Sequence, residues 1–196
     1  PYLELIQKPP KPLKIAFSTI SPIGTKVSQD AIQAIQDTAK LLTSLGHHVV
    51  EAQPQIDGMA LATDFITTWF SQCAYTVQQF KQRYAVTNRD FELDTLAIAG
   101  LGAKATALDY IHNLNNWGTY VTQMNRFFDD YDLYLIPSTA SIAPQNGEVK
   151  TPAWQIPILK GLLKVDKIHL LAKGKVVEQL IKSNLQWVPF TQLANI

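Results

Sequence analysis

Leu13-Lys14-Ile15-Ala16-Phe17-Ser18 reads as a strand, Ser21-Pro22-Ile23-Gly24 as a turn, and Val49-Val50-Glu51-Ala52 as a second short strand. A helix fills the interval. It starts near Ser28, an N-cap whose hydroxyl can accept an otherwise orphaned amide, and Asp30 in its first turn faces the positive end of the helix dipole. Ile32, Ile35, Ala39 and Leu42 recur at spacings of three, four and three, which places them on one stripe. Gly46 ends the helix, because glycine tolerates the left-handed conformation that closes a last turn. Strand, helix and strand in so short a span form a βαβ unit, with the strands parallel and the crossover right-handed.

Upstream, Pro1, Pro9, Pro10 and Pro12 predict an extended lead-in, since proline lacks an amide donor and disfavours helix in the residue before it. Downstream, Ile66, Phe70, Cys73, Val77, Phe80 and Tyr84 mark a long helix, and a shorter one runs from Leu93 to Ala99, closing at Gly100 or Gly102. Thr106 with Asp109 three residues on predicts a capping box, the acid being Asp where Glu is usual. Tyr110, Leu114, Trp117, Val121, Met124 and Phe128 then form the expected buried stripe of that helix. Leu133-Tyr134-Leu135-Ile136, stopped by Pro137, reads as a third strand buried on both faces. The expected fold class is therefore α/β: a mixed, mostly parallel sheet flanked by helices, with strands at about 13–18, 48–53 and 132–136 sharing one sheet.

Asn146-Gly147 marks a plain turn in the loop from Ser138 to Thr151. From Trp154 to Trp187 the chain is rich in leucine and lysine, and Gly161 and Gly174 divide it into short helices. Residues 151–187 are expected to be a helical lid or excursion standing off the core of a single partial domain, 1–196. Its apolar face is open to self-association.

Composition narrows the function classes. Of 196 residues, 46% are hydrophobic and 17% charged, which is enough apolar material for a core and argues against disorder. Lys and Arg number 17 against 16 Asp and Glu, so no global basic field recruits nucleic acid or an anionic membrane. No apolar run reaches the roughly 18–20 residues of a membrane span. The opening residues lack the pattern of a signal peptide. A single cysteine, Cys73, allows no intrachain disulfide. A cytoplasmic location is expected on these grounds.

No Gly-x-Ser-x-Gly elbow is present, and the serines at 18, 21, 28, 44, 71, 138, 141 and 183 occupy strand, cap and loop contexts. No histidine among 47, 48, 112 and 169 has another three or four residues away, so the helical metal-binding pair is absent, and neither a metal nor a cofactor is expected. Asp129, Asp130 and Asp132 lack the loop length and central glycine of a calcium site. Gly100-Leu101-Gly102 is a lone Gly-x-Gly between helices, not a phosphate cradle after a strand. Cys73 on its apolar stripe reads first as a buried inert thiol and second as a pocket-lining one.

Several stretches resemble the amidase signature family, in the family's order. They are the strand at 13–18, Pro22-Ile23-Gly24, the helix ending Leu45-Gly46-His47-His48-Val49-Val50, Ala107-Leu108-Asp109-Tyr110, Tyr131-Asp132-Leu133-Tyr134-Leu135-Ile136-Pro137-Ser138-Thr139, and Pro189-Phe190-Thr191 with Leu193-Ala194-Asn195. The resemblance implies a protein that hydrolyses carbon–nitrogen amide bonds through a serine acyl-enzyme without metal, its partner a small-molecule amide. The family's Ser–Ser–Lys triad matches no position here. The resemblance therefore implies a later, non-catalytic part of an amidase, inactive alone, with the nucleophile upstream. Because ligands of open α/β sheets lie at the carboxyl ends of strands, Phe70, Cys73 and Thr139 are the expected substrate contacts. The cyclic oligoamide (nylon-dimer) branch, linear amides and glutamine are the candidate substrates. A non-enzymatic α/β ligand-binding or interaction module is the alternative.

Overall fold

A computed structural model describes residues 2–7, 11–171 and 175–195. Three parallel strands, β1 (Lys14–Phe17), β2 (His48–Glu51) and β3 (Leu133–Leu135), form one sheet in the order β2-β1-β3. Ile15 of β1 lies opposite Val49 on one side and Leu133 on the other. As the central strand, β1 buries Ile15 and Ala16. Its entry is fixed by two side chains: the Leu13 amide donates to His47 Nδ1 at 3.1 Å, and the Lys14 amide to Asp132 Oδ2 at 2.7 Å. His47 and Asp132 thus set the register of β1.

The crossover from β1 to β2 is α2 (Gln29–Ser44), capped by Ser28 Oγ accepting from the Ala31 amide at 3.3 Å. It buries Ile35 and Ala39, and the chain reverses at Gly46 with φ +93°. The expectation that β3 is buried on both faces is corrected. Among the described strands β3 lies at an edge, and Leu133 is 49% exposed. The lead-in is also corrected. Tyr2–Leu5 forms a short helix, α1, because Leu and Glu are good helix formers ahead of the prolines. Pro1, Pro9 and Pro10 lie outside the described residues.

Three helices stand between β2 and β3: α3 (Gly58–Tyr84), α4 (Leu93–Gly102) and α5 (Ala107–Phe128). Asp57 caps α3, its carboxylate accepting from the Met59 and Ala60 amides at 3.0 Å. The predicted capping box opens α5: Thr106 Oγ1 accepts from the Asp109 amide, and Asp109 Oδ2 accepts from the Thr106 amide. That backbone hydrogen bond, with one from the Thr106 hydroxyl, holds the Asp109 carboxyl below its usual range. A Cβ placed on Gly102 would come within 1.9 Å of the Phe70 carbonyl oxygen, so α4 rests directly on the backbone of α3.

Two stripes behave unlike their expectation. On α3, Ile66, Phe70 and Val77 are buried, Cys73 is half-buried, and Phe80 and Tyr84 reach solvent. On α5, Tyr110, Leu114, Val121 and Phe128 are exposed, and the buried residues are Asn113 and Tyr120. Trp117 and Met124 of the stripe are half-buried, and the deepest positions of the helix are Asn113 and Tyr120.

A buried cluster of Ile23, Ala62, Ile66, Phe70, Ile181 and Leu185 forms the core between the turn after β1, α3 and the last long helix. The segment expected to stand off the core thus supplies two of its residues. It consists of α6 (Ile156–Lys164), a 3-10 turn at Ile168–Leu171 and α7 (Lys175–Leu185), and Ile168 is buried against Gly100 of α4. Gly161 lies within α6 and does not divide it, while Gly174 falls outside the described residues.

Candidate functional site

The carboxyl ends of the three strands open onto one cleft. After β1 the chain enters Ser18–Gly24, after β2 it passes Gln53 and Pro54, and after β3 it passes Ile136. A cavity of about 160 Å³ lies there, lined by Ser21, Gln53, Leu61, Tyr134, Phe190 and Gln192 among others. Gly58, the first residue of α3, closes one side; a Cβ on it would meet the Pro22 carbonyl oxygen at 2.1 Å. The far wall comes from 189–193, where Pro189, Phe190 and Gln192 are buried and Gln192 Nε2 donates to the Val188 carbonyl at 2.7 Å.

Hydroxyl and amide groups supply the polar edge. Ser18, almost fully buried, donates to Gln53 Oε1 at 3.3 Å and accepts from the Ile20 amide at 3.1 Å. Ser21 Oγ and Thr25 Oγ1 lie 2.8 Å apart. Burial pushes the Tyr134 phenol above its usual range, with a hydrogen bond to Ser18 acting in the opposite sense. A second, more open groove of about 360 Å³ adjoins the first and shares Tyr134, Ile136 and Leu193 with it. Its other wall is the last two turns of α5, through Val121, Met124, Asn125 and Phe128. Among the described residues no Asp, Glu, Lys, Arg or His lines either space. Such a cleft can hold a neutral molecule with an apolar arm and a few hydrogen-bonding atoms.

The three residues expected at the substrate occupy different places. Phe70 is in the core cluster, its ring 5.5 Å from that of Trp69. Cys73 is half-buried between α3 and α4, its thiol 3.8 Å from the Thr95 carbonyl oxygen, and burial raises its pKa. Thr139 is exposed after the end of β3. None lines either space, and the structure does not gather the three into one site. Among the described residues no helix is long and apolar enough to cross a membrane.

The residues sequence reasoning missed are Ser18, Gln53, Tyr134 and the 189–193 wall. Ser18 directly follows β1 and Gln53 stands two residues after β2, and those positions at strand ends were the available signal.

Comparison with known proteins gives this cleft a context. A lipoamidase from Enterococcus faecalis is 24% identical over 184 residues, covering 93% of this chain and 25% of the lipoamidase. The fold matches a solved structure of 6-aminohexanoate cyclic dimer hydrolase complexed with substrate, at a TM-score of 0.70 and 18% identity, over 95% of this chain and 39% of that one. A bacterial aryl acylamidase of the amidase signature enzymes matches at a TM-score of 0.55 and 20% identity, over 67% of this chain and 28% of its own. The chain thus spans well under half the length of each of these relatives. The sequence profile of the amidase family matches residues 1–171, and with that extent of agreement the chain belongs to the amidase family.

Proposed function

We propose that the whole protein hydrolyses the carbon–nitrogen bond of a neutral, largely apolar amide, and that this chain builds the substrate cleft without supplying the nucleophile. Family membership supports the reaction class. The observation that carries the substrate class is the cleft at the strand ends, whose lining, among the described residues, has hydroxyl and amide groups but no ionisable acid or base other than the Tyr134 phenol. A charged substrate group entering it would lose its hydration and gain no counter-ion, which costs several-fold to many-fold in affinity.

In this reading a serine oxygen outside residues 1–196 adds to the amide carbonyl. The carbon–nitrogen bond breaks as the amine takes up a proton, and water then cleaves the serine ester. Gln53, held from behind by the Ser18 hydroxyl, hydrogen-bonds the amide, and the α5 groove takes the apolar arm. Phe70, Cys73 and Thr139 line neither space, and their contact with substrate is proposed only for a surface that the rest of the protein completes.

The test compares the whole protein with residues 1–196 alone, on octanamide, a cyclic bis-amide and glutamine, reading ammonia or free amine. The reading expects hydrolysis by the whole protein only, with kcat/KM for octanamide about tenfold or more above that for glutamine. Turnover by residues 1–196 alone, or a preference for glutamine, contradicts it. Cys73→Leu is expected to change KM or substrate range. A loss of stability with unchanged kinetics would return Cys73 to a packing role.

A further inference from the structure

The two buried side chains of α5, Asn113 and Tyr120, both carry polar atoms. Asp64, on α3, is only 7% exposed, and no lysine or arginine among the described residues pairs with it. Neutral donors from α5 surround it instead. Tyr120 Oη donates to Asp64 Oδ2 at 2.7 Å, and Asn116 Nδ2 donates to the same oxygen at 2.9 Å. With its amide turned to satisfy both partners, Asn113 donates to Asp64 Oδ1 at 2.9 Å. His112 Nε2 lies 3.3 Å from Asn116 Nδ2 and backs that contact from solvent.

We infer that Asp64 is the positioning residue of the cleft: its hydrogen bonds fix the rotation and register of α5 on α3, and so decide which α5 side chains form the groove wall. Two features lead here. First, the buried residues of α5 are Asn113 and Tyr120, both partners of Asp64, while Tyr110, Leu114, Val121 and Phe128 remain exposed. Trp117, Met124 and Phe127 are only half-buried, so the most deeply buried side chains of this helix are the two that meet Asp64. Second, the groove residues Val121, Met124, Asn125 and Phe128 begin immediately after Tyr120. A shift of α5 by one residue turns its side chains by about 100°, which would replace that wall with another set. Directional hydrogen bonds to one buried carboxylate resist such a shift, because any rotation leaves donors unpaired away from water.

Hydrogen exchange followed by mass spectrometry on the 196-residue chain tests this. Asp64→Asn is compared with Ile35→Ala, which removes buried volume from α2, away from the groove. In Asp64→Asn the amides of Val121–Phe128 are expected to exchange about tenfold faster or more, with β1 and α2 unchanged. Ile35→Ala should leave Val121–Phe128 as in the parent. If Asp64→Asn does not fold, Tyr120→Phe keeps the shape, removes one donor and should give a smaller acceleration at the same amides. Uniform acceleration along the chain, or none at Val121–Phe128, overturns the inference. In the whole enzyme the matching expectation, which rests on the amide reading, is an octanamide KM raised about tenfold with kcat within about twofold. Absence of octanamide turnover would count against that reading alone, and the exchange result would still decide the role of Asp64.

Discussion

The long helix α3 joins its two helical neighbours by opposite means. Against α4 it uses proximity: Gly102 touches the Phe70–Ser71 backbone, and Ala97 and Ala99 are buried beside it. Against α5 it uses chemistry, with one carboxylate and three neutral donors. The first contact tolerates no added volume, and the second tolerates no missing partner. Burial and specificity are thus separable. The α4 joint is tight because glycine and alanine let the two backbones approach, with the Cys73 thiol at the Thr95 carbonyl oxygen as a polar contact across it. The α5 joint has a defined register because several polar atoms have to be satisfied.

Gly102→Val should have the largest effect. Its side chain has to displace backbone, not the flexible end of a side chain, so a loss of about 3 kcal/mol or more is expected in urea denaturation. A loss under about 1 kcal/mol would mean that α4 can slide on α3. Tyr120→Phe comes next, at about 1–2 kcal/mol for one lost hydrogen bond to a charged acceptor.

Tyr120→Phe should also change the alkaline limb of stability. Burial, the hydrogen bond to Asp64 and the charges of Asp64 and Asp57 raise the Tyr120 phenol well above its ordinary value. A raised phenol stabilises the fold fully below the unfolded value of about 10, and this contribution is lost as pH rises above it towards the folded value. The parent should therefore lose stability more steeply than Tyr120→Phe above about pH 10. Cys73 and Tyr134, also raised by burial, leave a shared decline in both. The smallest effect has the opposite sign. A Cβ on Gly118 of α5 meets nothing within 4 Å, so Gly118→Ala should add about 0.5–1 kcal/mol through helix propensity.

Local signals were legible where one short stretch determines the outcome. Ser28, Gly46 and the Thr106–Asp109 pair act within a few residues, and each stands where its chemistry implied. Periodicity was less informative, since it groups residues on a face without saying which face is inward. On α5 the apolar stripe competes with Asn113, Asn116 and Tyr120, spaced three and four, and Asn113 and Tyr120 go deepest because Asp64 waits opposite, while Trp117 and Met124 are half-buried. On α3 the apolar stripe continues past Val77 into solvent because α4, at 10 residues, is much shorter than α3, at 27. In the 151–187 segment the lysines mark an outer side and do not show what lies beneath it. The inward side of α7 is defined by Ile181 and Leu185, four residues apart, whatever charge its outer side carries. The cleft could be located at the strand ends, but its far wall at 189–193 arrives from the other end of the chain, beyond the reach of any local pattern.

A double-mutant cycle between Asp64 and Tyr120 tests the α5 joint most directly. Stability to urea is measured for the parent, Asp64→Ala, Tyr120→Phe and the pair. Because each single change leaves the other partner's polar group buried, the account predicts that the double mutant loses about 1–2 kcal/mol less than the sum of the two single losses. Losses that add to within about 0.5 kcal/mol would contradict it and show that α5 is held by something other than this carboxylate.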